Sequence, residues 1–86
     1  PKVSAEVLSY QRFYIVGEVQ NPGAYDYVPS LNVLKAVAIA GGFTHRAVKD
    51  DFTIIRGEGE KLQKIPAREE SVVLPGDSIR VDERFF

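Results

Sequence analysis

With 86 residues, 11 basic against 12 acidic side chains and a net charge of −1, the chain has no basic run beyond isolated Lys or Arg, which argues against nucleic acid as a partner. It has no cysteine, which removes disulfides, thiol catalysis and thiolate zinc sites. At 44% apolar and 27% charged it fits one small domain, residues 1–86, burying about 60–65% of the surface its unfolded chain exposes.

No apolar run approaches the roughly 20 residues of a bilayer span, and no secretory signal is visible. The chain begins at Pro1 rather than methionine. It is therefore expected to be a piece of a longer protein, with any export signal or membrane anchor elsewhere.

In chain order, residues 2–8 alternate, with Val3, Ala5 and Val7 on one side and Ser4 and Glu6 on the other. That is a half-buried strand pattern. After a short polar stretch, Phe13 to Val19 is rich in β-branched and aromatic residues and reads as a second strand. Asn21-Pro22-Gly23-Ala24 follows. Pro22 presets φ at the second position and Gly23 takes positive φ at the third, so a type II turn is expected. Residues 24–28 alternate again as a third strand.

Residues 30–42 carry the one strong helix signal. Asn32 or Ser30 can cap its start by accepting an amide hydrogen bond. Gly41 and Gly42 end it, one of them in the left-handed position beyond the last turn. At about 100° per residue, Val33, Leu34, Val37 and Ala38 form an apolar face. Lys35 and Ile39 lie together on the opposite side. For Ile39 two readings stay open: a surface or locally covered hydrophobe, or a contact with a neighbouring domain or subunit.

Residues 43–51 read as a polar connector and 52–57 as a strand. Residues 57–59 form a hairpin tip, 61–65 the returning strand and 66–71 a loop. A second Pro-Gly turn, Pro75-Gly76, precedes a closing strand with Ile79 and Val81 on one face. Phe85 and Phe86 are too apolar for a free tail and are expected to pack on the sheet or against a following segment. One helix against a mixed sheet makes the chain α+β.

The residues offer little catalytic chemistry. His45, the lone histidine, sits in the polar connector beside Arg46, and no serine stands in a nucleophile elbow. Asp50-Asp51, Glu69-Glu70 and Asp82-Glu83 are adjacent pairs, and neighbours on a strand point to opposite faces. They are read as solvated charges that converge on no proton or metal. Gly57-x-Gly59 lacks a dinucleotide fingerprint, and Gly41-Gly42 follows a helix where a phosphate loop precedes one. No enzyme activity, metal or cofactor is expected. Tyr25 and Tyr27 share a strand face, as a sugar-stacking pair or as core-edge strand formers. Arg46, Lys49 and Arg56 can meet an acidic ligand or stand solvated.

Three stretches together resemble a known family. They are Val16 to Tyr25, preceded by Ile15; Ala40-Gly41-Gly42-Phe43, with Arg56 further on; and Gly76 to Val81 of the closing strand. Residues 2–86 resemble a soluble-ligand-binding β-grasp (SLBB) domain, in particular the copy found in outer-membrane polysaccharide export proteins. One departure is Lys35, where family helices often place an acid that would complete a capping box with Asn32.

The resemblance implies a ubiquitin-like β-grasp fold, with one main helix packed on a mixed sheet. It implies a periplasmic place in an outer-membrane-associated channel for capsule or exopolysaccharide, built by self-association of several copies. Polysaccharide and an inner-membrane polysaccharide co-polymerase are the partners it suggests. The candidate contact residues are Tyr25, Tyr27, Ile39, His45 and Arg46. Pro22, Gly23, Asn32, Gly41, Gly42, Pro75 and Gly76 are expected to serve turns and caps. The alternative is a monomeric soluble-ligand or glycan-binding β-grasp module.

Overall fold

The computed structural model describes residues 11–57 and 59–84. The strand expected over residues 2–8 and the packing expected of Phe85 and Phe86 lie outside the described residues. In chain order the elements are β1 (Arg12–Gly17), β2 (Gly23–Asp26), the helix α1 (Val33–Ile39), β3 (Ala47–Arg56), a 3₁₀ turn (Gly59–Lys61), β4 (Gln63–Ala67) and β5 (Ser78–Glu83). The five strands form one sheet in the order β2-β1-β5-β3-β4. β1 runs parallel to β5, and the other neighbours are antiparallel. One helix on a mixed five-stranded sheet is the expected α+β, β-grasp arrangement.

Strand alternation builds the core. Phe13 and Ile15 of β1, Phe52 and Ile54 of β3, and Ile79 and Val81 of β5 are buried on one face. The helix covers that face with Val33, Ala36, Val37 and Ala40. Each fully buried valine there contributes about 1.5–3 kcal/mol relative to exposure. The buried stripe has the i, i+3, i+4, i+7 spacing of a helix face. It is not the expected set: Val33 and Val37 are buried, but Leu34 and Ala38 stand outward. Ala36 and Ala40 take the inner places because their small side chains let the helix lie close to the sheet.

Both helix ends are closed locally. Asn32 Oδ1 accepts from the Lys35 amide at 2.8 Å. Ser30, the other cap candidate, instead takes a left-handed backbone at φ 64°. At the far end Gly42 N–H reaches the Val37 carbonyl at 2.9 Å and Gly41 N–H reaches Ala38 at 3.0 Å. That pair of bonds is a Schellman closure, with Gly41 at φ 93° beyond the last turn.

Several boundaries move. The strand expected over Phe13 to Val19 ends at Gly17. β3 begins at Ala47, so half of the expected polar connector is strand. The Arg84 amide bonds the Arg46 carbonyl at 2.8 Å and keeps β5 in step with this extension. A bulge takes up the difference, since Ala47 pairs Glu83 while Phe52 pairs Val81. β4 starts at Gln63, two residues later than expected, because Gly59–Lys61 winds into a 3₁₀ turn first.

Candidate functional site

The first motif and the helix end bond each other. Between β1 and β2 the chain does not make the expected type II turn at Asn21–Ala24. Residues 18–22 form a wider loop sewn to the residues after α1. Gln20 N–H donates to the Gly42 carbonyl at 2.9 Å, Asn21 N–H to Ala40 at 2.8 Å and Thr44 N–H to Glu18 at 3.1 Å. Side chains repeat the pattern: Gln20 Nε2 donates to the Phe43 carbonyl at 3.1 Å, and the Thr44 hydroxyl to Glu18 Oε1 at 2.7 Å. Val19 and Phe43 form a bridge between the two segments. Gly41 permits this close approach, since a Cβ there would lie 2.7 Å from Asn21 Nδ2. Gly17 opens the loop at φ 97°, where a Cβ would collide with the Val81 carbonyl oxygen. Two motifs that read as separate in the sequence are therefore halves of one clasp.

The second polar centre went unread as a pair. Asp77 is 1% exposed, the one buried charged residue among those described. Arg56, at the end of β3, meets it with Nε 3.0 Å from Oδ1 and Nη2 2.8 Å from Oδ2. The Leu74 amide also donates to Oδ2 at 2.8 Å, and Arg56 Nη2 reaches the Val72 carbonyl at 3.5 Å. The Asp77 hydrogen bond raises Arg56 above its ordinary guanidinium value, against the opposing pull of burial. The backbone amide of Asp77 donates to Leu74 at 3.1 Å, closing the expected turn over Pro75-Gly76. Arg56, Gly57, Leu74, Pro75, Gly76 and Asp77 line an open depression of about 340 Å³. Its carboxylate is neutralised by Arg56 and leaves no free base. The available signal was a lone arginine closing an apolar strand and an aspartate directly after Pro-Gly.

The two tyrosines expected to meet a ligand are anchored inward. The Tyr25 hydroxyl donates to the Asn21 carbonyl, and its ring lies 5.9 Å from that of Phe13. The Tyr27 hydroxyl donates to the Val73 carbonyl at 2.8 Å. Both rings are half-buried against the core. Arg46 pairs with Glu83. His45 is exposed beside it. Ile39 is 42% exposed on the outer side of α1, next to the exposed Lys35. The structure therefore brings His45 and Arg46 together at the start of β3 and leaves Ile39 and the tyrosines on other elements.

On β5 the neighbouring carboxylates separate as strand geometry requires. Asp82 lies 3.1 Å from Arg80 Nε, while Glu83 turns to Arg46. Asp50 does meet Glu69 and Glu70, around Arg68, in an open depression of about 140 Å³. Their convergence across 20 residues was not expected from the sequence. Among the described residues no group of three metal-ligating side chains assembles. No helix among them is long and apolar enough to cross a membrane.

Residues 12–66 match the family model for the SLBB domain. The chain is also similar to the exopolysaccharide production protein ExoF of Rhizobium meliloti (strain 1021), at 39% identity over 70 residues. That stretch is 79% of this chain and 17% of the relative, so the chain spans about a sixth of the relative's length. The family match takes in the clasp and the Arg56 strand, and the chain belongs to the SLBB domain family.

Proposed function

We propose that this chain is a non-catalytic module of an exopolysaccharide export protein, working in the periplasm. Its task is contact between subunits and domains of a channel assembly, with polysaccharide and an inner-membrane co-polymerase as partners. The likeness to an exopolysaccharide production protein supports the export reading.

One observation carries the contact reading. The polar groups of both motifs bond inside the fold, while Leu34, Ile39 and Val72 stand outward at 47%, 42% and 62% exposure. Such side chains favour a surface that other protein covers.

Light-scattering mass measurement on the longer export protein tests this. Assembly into a defined oligomer is the expected result, weakened by Ile39→Asp. A longer protein that stays monomeric while sugar shifts amide resonances of this chain would favour the monomeric glycan-binding module.

A further inference from the structure

We propose that the depression beside the Arg56–Asp77 pair is a binding site for one neutral pyranose residue of a saccharide chain. The proposal rests on the export reading above and deepens it, by giving the polysaccharide a place on this chain.

The site lies where two strands end. β3 stops at Arg56 and β5 starts at Ser78, and Ile55 pairs with Ser78 beside it. Arg56-Gly57 on one side and residues 74–77 on the other therefore line one depression of about 340 Å³. That is the small end of the range for small-ligand sites, about 300–1,000 Å³, and suits a single ring. One buried carboxylate ties both sides together. Asp77 accepts from Arg56 Nε and Nη2 and from the Leu74 amide. The walls are thus held in place before any ligand arrives, which lowers the ordering cost of binding.

What the pair leaves over points to the ligand. Nε and Nη2 of Arg56 are turned to Asp77, and Nη1 makes no hydrogen bond to the protein among the described residues. The same holds for the Gly57 amide and for the Pro75 and Gly76 carbonyls. Arg56 is 34% exposed along its side chain, and Gly57, Pro75 and Gly76 are exposed. Donors and acceptors therefore line one small space, next to the apolar Leu74, which is 42% exposed, and the Pro75 ring. An apolar side chain from a protein partner would cover Leu74 and Pro75 but cut these polar groups off from water without replacing its bonds. A pyranose meets both demands. Its ring face is apolar, and each hydroxyl both donates and accepts.

Charge decides for a neutral sugar. Arg56 and Asp77 cancel each other, so a phosphate or carboxylate gains no net attraction from the pair. Arg12, whose carbonyl accepts from the Gly76 amide at 2.7 Å, itself stands 3.9 Å from Asp26.

The test is an NMR titration of the chain with cellohexaose, galactohexaose and hexagalacturonate, each at low and high salt. A neutral hexamer is expected to shift the amides of Gly57, Leu74, Gly76 and Asp77 and the guanidinium hydrogens of Arg56, with an affinity that salt leaves unchanged. Leu74→Ala keeps the backbone amide that Asp77 accepts and removes the apolar wall, so it should weaken binding about fivefold. Absence of shifts with both neutral sugars at millimolar concentration overturns the proposal. So do shifts centred away from this depression, or a Leu74→Ala variant that folds and binds as well as the parent. Binding of hexagalacturonate alone, abolished by salt, would give the depression to an anion and overturn it too. A longer protein that assembles while no sugar binds removes this proposal and leaves the assembly reading standing. Sugar binding here by a longer protein that stays monomeric does the reverse.

Discussion

The two Pro-Gly segments share a dipeptide and fold differently. At Leu74–Asp77 the chain reverses within four residues. The Asp77 amide bonds the Leu74 carbonyl, Gly76 sits at φ 87°, and the Asp77 carboxylate returns to the Leu74 amide. At Asn21–Ala24 no backbone bond runs from Ala24 to Asn21. The Asn21 carbonyl takes the Tyr25 hydroxyl, and its amide goes to Ala40 at the helix end. Gly23, at φ 154°, is already paired with Ile15 as the first residue of β2. Proline presets one dihedral in both places. The residue after glycine differs: aspartate offers a local acceptor, alanine does not. A turn signal fixes a conformation, and the side chains around it decide whether the bonds close locally or reach across the fold.

The largest expected effect attacks the local closure. Arg56→Ala leaves the buried Asp77 carboxylate without its cation and should cost about 3–5 kcal/mol. Asp77→Ala removes the Leu74 acceptor as well, but the stranded Arg56 side chain is 34% exposed and water meets part of its demand. The cost there should be smaller, about 2–3 kcal/mol. Urea unfolding of the two variants measures both. Equal losses would mean that the carboxylate is not the dominant partner. The raised Arg56 value puts its contribution fully in place below the ordinary guanidinium range, lost only as pH rises through the still higher folded value. Stability should therefore show no step from Arg56 across the neutral range.

Gly17→Ala attacks the long-range closure. It combines a positive φ with a collision against the Val81 carbonyl, whose oxygen also accepts from the Glu18 amide at 3.0 Å. A loss of about 2–4 kcal/mol is expected. Because the clasp holds the loop to the helix end, amide exchange should rise at Gln20 and Asn21 together. Faster exchange at the loop alone, without global loss of stability, would break the link between strand β1 and the clasp.

How much of this was legible follows from distance along the chain. The Asn32 cap, the Gly41-Gly42 helix end and the Leu74–Asp77 turn rest on bonds within a few residues, and local residue chemistry announces them. The clasp joins residues 18–21 to residues 40–44, and the latch joins Arg56 to Asp77. Nothing local pairs them, although the family resemblance placed all of these residues except Thr44 among its markers. The helix phase failed for a different reason. Alanine is compatible with either side of a helix, so Ala36 and Ala40 gave no signal against Leu34. The tyrosines were read as sharing one strand face, but β2 ends at Asp26 with Tyr27 beyond it, and their anchoring carbonyls, Asn21 and Val73, become visible only in three dimensions.

Gly23→Ala against Gly76→Ala compares the two segments directly. A Cβ at either position meets nothing within 4 Å, so crowding does not enter. Gly76 at φ 87° lies near the left-handed basin, where alanine costs about 1–2 kcal/mol. Gly23 at φ 154° lies far from it, in territory almost reserved for glycine, where the cost is about 1–3 kcal/mol. The Gly23 variant should be the less stable of the two in paired thermal and urea unfolding. The reverse order would show that β2 shifts its register at small cost, whereas the latched turn does not.

The smallest effect isolates the residue that the two segments share. Pro22→Ala and Pro75→Ala each widen the conformational range of the unfolded chain, and each should cost about 0.4–1 kcal/mol. Neither proline carries an amide hydrogen, so the folded state loses no donated bond in either variant. The losses should therefore match within about 0.5 kcal/mol, even though one proline sits in a closed turn and the other ahead of a strand. Matching losses would place the whole difference between the segments in Gly23, Gly76, Asp77 and their partners. A markedly larger loss for Pro75→Ala would mean that the proline ring also holds the Leu74 carbonyl in place for the Asp77 amide. Latch and turn would then have to be treated as one cooperative unit.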